Sequence, residues 1–177
     1  MSRRITAALA ALAAILTTLI GSTDADALSW ETATAPRIVV NVGHIHHGWR
    51  PYFTTAVRTW NDNGANFVRR THCVDGVRCV RVVERQIDTD NVAAHTLIWS
   101  AGDRIVKAPW LVVDPASRHW PFAVYGHRLN LALHELGHVL GLPHDSSSGC
   151  MWPYVDQRHA HVSTLERHRL ARMYPGR

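Results

Sequence analysis

Long hydrophobic runs, lysine and cysteine are all scarce in this chain of 177 residues. The one long apolar run covers residues 5–20, so no later segment is expected to cross a bilayer. Lysine occurs once, at Lys107, and the formal charge of +5 therefore comes almost wholly from arginine. No basic run is dense enough to indicate a nucleic-acid partner, and the sequence contains no repeats, low-complexity tracts or appended binding modules.

The three cysteines allow at most one intramolecular disulfide. Cys73 and Cys79 flank an Asp-Gly step between valines, a pattern that predicts a tight β-hairpin. In an exported protein, a small disulfide across that turn is expected. It would leave Cys150 unpaired and buried. The alternative is that Cys150 pairs with one of the other two cysteines.

The N-terminal 27 residues have the three parts of a secretory signal peptide. Arg3 and Arg4 precede the apolar run, and Ala25-Asp26-Ala27 provides a small-residue cleavage site. An uncleaved membrane anchor is the alternative, but the run is short for a membrane span. Cleavage after Ala27 would remove two arginines and two aspartates, which leaves the net charge at +5. We therefore expect a secreted monomer without membrane contact, folded as one domain over residues 28–177.

Hydrophobic periodicity predicts a mixture of helices and strands. Pro51 begins a helix whose apolar residues recur at i, i+3, i+4 and i+7, and Asn63 ends it. Ser163 and Glu166 form a capping box that starts a last helix, which ends near Tyr174. Strands are predicted at residues 37–42, within residues 67–87, and at residues 96–99 and 105–113.

The stretch from His134 to His144 carries the strongest functional pattern. His134 and His138 are four residues apart on a predicted helix, so they can present two imidazoles to one metal ion. Gly141 can adopt a positive φ, which lets the chain leave the helix and return with His144 as a third ligand. Three nitrogen ligands leave one zinc position open, as in catalytic sites, and Glu135 lies at the edge of the ligand face. The competing interpretation is a histidine-rich helix end that binds metal only incidentally.

This stretch resembles the extended zinc signature of the metzincin metalloproteases. Met151, seven residues after His144, stands where that clan has its Met-turn. The run Met151-Trp152-Pro153 resembles the Met-x-Pro form of matrixins, whereas Asp145, directly after the third histidine, is typical of adamalysins. The resemblance covers about the last third of the chain.

The resemblance implies an α+β fold of the metzincin type. Such a fold has a twisted, mostly parallel sheet with an antiparallel edge strand, a zinc helix, a Met-turn and a C-terminal helix. The implied activity is that of a zinc endopeptidase that hydrolyses peptide or protein substrates through a zinc-bound water, with Glu135 as general base and then acid. Gly141 and Met151 would be structural, with Met151 as a hydrophobic floor beneath the metal.

The resemblance also suggests where substrate binds. It assigns the exposed sheet edge above the cleft to Ala108–Asp114, where an extended peptide can pair through main-chain hydrogen bonds. The competing interpretation is an ordinary edge strand blunted by Pro109. The candidate substrate-binding residues are Trp110, Leu111, Val112, Pro153 and Tyr154. Tyr154 stands three residues after Met151, whereas the pocket tyrosine of matrixins usually stands four after it.

Other matrixin features are not carried over to this chain. Matrixins bind a structural zinc and calcium through a His-x-Asp spacing that His119 and His127 lack, so Ca²⁺ is possible but not supported by the sequence. His44 and His46 would share a strand face, but nearby carboxylate partners for a second metal are lacking. No cysteine precedes Cys73, so latency through a cysteine switch is not expected.

The leading alternative from another functional class is a secreted zinc-bearing binding or effector protein with little or no proteolytic activity. Seven tryptophans and the positive charge would suit contact with polysaccharides or cell surfaces. Glu135 argues against this alternative, because a binding module needs no base beside its metal. A narrow processing protease that ignores generic substrates is the third possibility.

Overall fold

The structure is a computed structural model that describes residues 28–30, 36–73, 78–87, 92–102, 104–115, 125–146 and 148–175, without the side chains of Lys107 and Ala108. The predicted signal peptide and His119 lie outside these residues. The strands are β1 (Ser29–Trp30), β2 (Ile38–His44), β3 (Phe67–Arg70), β4 (Arg78–Glu84), β5 (Ala94–Ala101) and β6 (Arg104–Val113). The helices are α1 (Arg50–Asp62), α2 (Tyr125–Val139) and α3 (Thr164–Met173), with a 3-10 helix at Gln157–His159.

The six strands form one mixed sheet in the order β1-β6-β4-β2-β3, and β5 pairs with β6. The β5–β6 pair is antiparallel, whereas the other strand pairs in the described residues are parallel. The predicted α+β class, with a mostly parallel sheet and an antiparallel edge strand, is confirmed. None of the described helices is long and apolar enough to span a membrane.

The hydrophobic core lies between one face of the sheet and the helices α1 and α2. Side chains alternate between the two faces of a strand, and Ile38, Val40 and Val42 of β2 point into the core. The predicted apolar stripe of α1 packs against them, and its Trp60 is fully buried. The indole N–H of Trp60 donates a hydrogen bond of 2.9 Å to the carbonyl oxygen of Leu133 in α2. This bond fixes α1 against the helix that carries the histidines.

The two ends of the described chain meet at the end of α2. The indole N–H of Trp30 in β1 donates to the carbonyl of Val139 at 2.9 Å. The hydroxyl of Tyr174, just after α3, donates to the carbonyl of Leu140 at 3.0 Å and accepts the backbone N–H of Trp30 at 3.1 Å. These bonds satisfy carbonyls that the last turn of a helix leaves without intrahelical partners. The end of α2, where the metal-binding stretch turns, is therefore held from two sides.

The predicted hairpin across the Asp-Gly step is wrong. β3 and β4 do not pair with each other, because both run parallel to β2 and flank it on opposite sides. A hairpin would require antiparallel neighbours. The predicted disulfide between Cys73 and Cys79 is nevertheless present, and Cys150 is a free buried cysteine. It connects the segment after β3 to the start of β4, and residues 74–77, which include the Asp-Gly step, lie outside the described residues.

The assignment of the exposed sheet edge to Ala108–Asp114 is also wrong. All of this segment except Asp114 belongs to β6, which pairs with β5 along one side and with β4 and β1 along the other. Its backbone groups are therefore already used by the sheet. The antiparallel edge strand is β5, the preceding strand in the chain.

Candidate metal centre

Three imidazoles converge at the end of α2. The Nε2 atom of His134 lies 3.0 Å from Nε2 of His138 and 3.0 Å from Nε2 of His144, and the latter two atoms are 3.2 Å apart. Among the described residues, these three form the group of histidine, cysteine and carboxylate side chains that could hold one metal ion. The sequence prediction of which histidines come together agrees with this geometry.

Gly141 makes the turn that brings the third histidine back. Its φ is +92°, in the left-handed region that favours glycine. The N–H of Gly141 donates to the carbonyl of His138 at 2.9 Å, and the N–H of Leu142 donates to the carbonyl of Gly137 at 3.0 Å. This pair of bonds is the Schellman motif, which ends a helix and reverses the chain. A side chain at Gly141 would also overlap the carbonyl of Leu28, which packs directly on the turn.

The hydrogen bonds of the His134 and His138 rings determine which nitrogen of each ring has a lone pair available for a metal. Nδ1 of His134 bonds to the carbonyl oxygen of Cys150 at 2.7 Å, and Nδ1 of His138 bonds to that of Leu142 at 2.8 Å. A carbonyl only accepts, so both Nδ1 atoms carry the proton and both Nε2 atoms present lone pairs. Two lone pairs 3.0 Å apart repel each other unless a cation lies between them. The spacing is close to the roughly 3.3 Å between neighbouring ligand nitrogens in a tetrahedral zinc site with bonds of about 2.0–2.1 Å.

The rings are neutral at neutral pH, as metal binding requires. Burial and, to a smaller extent, the neighbouring His144 lower the pKa of His134 to about 4. Burial also holds the pKa of His138 well below its ordinary value, and it lowers that of His144 despite the adjacent Asp145. The donor set therefore fits a zinc ion, because all three imidazoles can bind it without first losing a proton.

Met151 lies beneath this group and is fully buried. A side chain on Gly137 of α2 would overlap the Met151 sulfur. Because glycine has no side chain, the methionine can pack closely under the helix. The backbone N–H of Asp145 donates to the carbonyl of Met151 at 3.0 Å and connects the residue after His144 to the turn. The predicted place of Met151 as a hydrophobic floor is consistent with these contacts.

Glu135 is buried beside the histidines, with 3% of its surface exposed. Its carboxylate Oε2 accepts a hydrogen bond of 2.7 Å from the hydroxyl of Thr96 in β5. Burial raises the pKa of Glu135 to about 7, and the Thr96 hydrogen bond opposes that rise. A carboxyl group whose pKa lies near neutrality is suited to accept and release a proton. The sequence pattern identifies Glu135 but not Thr96, which carries no local signal because it lies 39 residues away.

Asp145 and Glu166 are two further residues whose roles the sequence did not reveal. The carboxylate of Asp145 is nearly inaccessible to solvent and pairs with Arg169 of α3 at 2.8 Å, which holds the loop of His144 on that helix. Glu166 was predicted as part of a capping box, which is confirmed. Its carboxylate also accepts the backbone N–H of Met151 at 2.6 Å.

No protein-family model matches the chain, and no curated protein matches it in sequence. Its structure is similar to that of high choriolytic enzyme 1, a hatching enzyme zinc-protease from Oryzias latipes (medaka fish), with a TM-score of 0.50 and 15% identity over 89% of this chain and 99% of the other. It is also similar to myroilysin, with a TM-score of 0.53 and 10% identity over 84% of this chain and 83% of the other. The fold is metzincin-like.

Within this metzincin-type fold, the predicted substrate-binding residues separate into two groups. Leu111 points into the core with no exposed surface, and Trp110, which alternates with it, lies on the opposite face of the sheet from the helices. Val112 is also buried, so these residues of β6 do not form an open wall beside the histidines. Pro153 and Tyr154 are exposed, and Tyr154 lines an open cavity of about 480 Å³ next to the Met-turn.

Proposed function

We propose that this chain is a secreted, monomeric zinc endopeptidase, with His134, His138 and His144 as zinc ligands and Glu135 as the general base. The convergence of three histidine Nε2 atoms beside a buried carboxylate is the single observation that carries the proposal. The fold shared with a hatching enzyme zinc-protease supports the reaction class. Secretion is supported by the N-terminal sequence and by the disulfide between Cys73 and Cys79.

When bound, zinc supplies a Lewis acid that polarises the scissile carbonyl and makes water more acidic. Glu135 accepts the proton of the attacking water and then donates it to the leaving amine, which is general base and then general acid catalysis. The carbonyls of Cys150 and Leu142 keep two imidazoles in the required tautomer. Met151 fills the space below the ligands and keeps water out of it.

The substrate peptide is proposed to bind along β5. Within the described residues, β5 pairs with β6 alone, so its other edge is open to an extended chain. Main-chain hydrogen bonds to such an edge give affinity without requiring a particular sequence. Thr96 places this strand directly beside Glu135. Pro153 and Tyr154 would contact a substrate side chain next to the Met-turn.

The matrixin-like subfamily is supported by the sequence Met151-Trp152-Pro153, whereas Asp145 is adamalysin-like. Asp145 forms an ion pair with Arg169, so its role in this chain is to hold the loop that carries His144. Zinc is the proposed cofactor, and a calcium requirement is not part of the proposal.

The test is zinc content and proteolysis measured on the same purified protein. We expect about one zinc per chain and chelator-sensitive hydrolysis of casein or gelatin. Glu135→Gln should keep zinc and lose roughly 10²–10⁴-fold in kcat, because that is the usual contribution of general acid–base catalysis. Glu84→Gln is the matched control, since Glu84 is a partly exposed glutamate that accepts the backbone N–H of His46, a residue outside the group of three converging histidines. Zinc-loaded protein that cleaves no substrate would favour the zinc-bearing binding protein, and full activity of Glu135→Gln would exclude Glu135 as the base.

A further inference from the structure

Thr96 touches the proposed base at two points. Its hydroxyl oxygen lies 2.7 Å from Oε2 of Glu135 and 3.1 Å from the backbone carbonyl oxygen of the same residue. Thr96 is directly opposite Leu111 of β6, and residues opposite each other point to the same face of a sheet. Leu111 is fully buried in the core, so the side chain of the partly buried Thr96 is directed at α2.

From this contact we infer that Thr96 is a positioning residue that holds the carboxylate of Glu135 in the orientation needed to accept a proton from the attacking water. The inference rests on the proposed function and extends it to a residue on the edge strand. Threonine is β-branched and has restricted χ1, and Thr96 lies in a strand that is fixed by its pairing with β6. Glutamate, by contrast, has three rotatable side-chain bonds. The rigid partner therefore restricts the flexible one.

The neutral hydroxyl of Thr96 is a better partner for a carboxylate that acts as a base than for a carboxylate that only stabilises the fold. A buried carboxylate kept only for stability is usually paired with a cation, as Asp145 is with Arg169, or bonded to backbone N–H groups, as Glu166 is. In the part of the chain that the structure describes, no ion pair involves Glu135, and a neutral hydroxyl is its side-chain donor. A hydroxyl can donate or accept. When Glu135 carries the proton, it can donate to Thr96, which can then donate to the carbonyl of Glu135.

The experiment compares Thr96→Val, Thr96→Ser and Thr54→Val with the zinc-loaded wild type on a fluorogenic peptide. Thr96→Val keeps the shape and removes the hydroxyl, so we expect kcat to fall by about 10- to 100-fold, the scale of losses from sub-ångström to ångström misplacement. KM and zinc content should change by less than about twofold, since binding groups are untouched. Thr96→Ser should recover part of kcat. Thr54→Val removes a partly buried hydroxyl that donates to the carbonyl of Arg50 within α1, and it should leave kcat unchanged.

A second measurement does not depend on activity. In the zinc-free protein, Thr96→Val should lower Tm more in the wild type than in a Glu135→Ala background, where the carboxylate contact is already gone. Equal Tm shifts in both backgrounds would overturn the side-chain contact, and an unchanged kcat in Thr96→Val would overturn the positioning role. Loss of zinc together with activity would also overturn it, since the hydroxyl would then be structural. A wild type that binds zinc without cleaving any peptide would instead overturn the proposed function, and the Tm comparison would still report on the contact.

Discussion

The carboxylate of Glu166 in α3 accepts a hydrogen bond of 2.6 Å from the backbone N–H of Met151. Its other oxygen accepts the N–H of Ser163, also at 2.6 Å, and the side chain is completely buried. The carbonyl of Cys150, one residue before Met151, holds Nδ1 of His134. A single carboxylate thus connects the start of the C-terminal helix, through one peptide unit, to a proposed zinc ligand.

Glu166→Gln is expected to destabilise the protein. The amide nitrogen replaces one acceptor, so one of the two backbone N–H groups is left facing a donor in a buried site. We expect a loss of about 1–3 kcal/mol in the free energy of unfolding, measured by urea denaturation. Glu84→Gln provides the comparison, because its hydrogen bond to the N–H of His46 is exposed to water. Equal losses in the two variants would contradict a special role for the Glu166 carboxylate.

Gly141→Ala should be more damaging than Gly102→Ala. Both glycines have positive φ, +92° and +61°, so alanine is strained at either position by about 1–2 kcal/mol. A side chain at Gly102 meets open space, whereas one at Gly141 collides with the carbonyl of Leu28. We therefore expect about 2–5 kcal/mol of lost stability for Gly141→Ala, together with weaker zinc binding. Thermal unfolding measures the stability of both variants, and zinc titration measures their zinc affinity. Equal stabilities would show that the collision with the carbonyl of Leu28 is relieved without cost.

His144→Ala is expected to weaken zinc binding strongly, because it removes a metal ligand. The loss should exceed the roughly 10- to 100-fold that follows when a residue hydrogen-bonded to a ligand is removed. His47→Ala is the control, since His47 is an exposed histidine outside the converging group. Competition with a fluorescent zinc chelator measures both affinities. Retention of wild-type affinity by His144→Ala would remove the basis for a three-histidine site.

Alkaline pH should destabilise the protein through Tyr174. Burial raises the pKa of Tyr174 to about 12, whereas an unfolded tyrosine loses its proton near pH 10. Between these values the unfolded state binds fewer protons than the folded state, so the free energy of unfolding falls as pH rises above about 10.

Tyr174→Phe should be less stable at neutral pH, because it loses two buried hydrogen bonds, but it should show a shallower alkaline decline. Tyr154→Phe is the control, as Tyr154 is 72% exposed. Urea denaturation at pH 8 to 11 tests the slope, and identical slopes for wild type and Tyr174→Phe would contradict this account.

The residues of the candidate metal centre were predictable because they are close together in the chain. Helical periodicity places His134 and His138 on one face, and the conformational freedom of Gly141 explains how His144 returns. The capping box of Ser163 and Glu166 was predictable for the same reason, since its four residues form one local unit. The Cys73–Cys79 disulfide also follows from short separation.

The predictions that failed concern which strands are neighbours. The Asp-Gly step between Cys73 and Cys79 is a local signal for a hairpin, but the parallel pairing of β3 and β4 with β2 prevails in the folded sheet. The exposed edge was assigned to residues 108–114, and it belongs to β5 because β6 is paired on both sides. A strand has the same alternation of side chains at an edge and in the middle of a sheet.

The sequence by itself determined the candidate metal-binding residues and the turn that brings them together, because both depend on spacings of a few residues and on the φ that glycine allows. The class of fold followed from the resemblance of the same stretch to the metzincins. Only the tertiary structure decided that Thr96 holds Glu135, that Glu166 holds Met151 and that Asp145 pairs with Arg169. These contacts join residues 15 to 39 positions apart. Which side chains meet over such distances depends on how the sheet and the helices pack, and no local pattern encodes it.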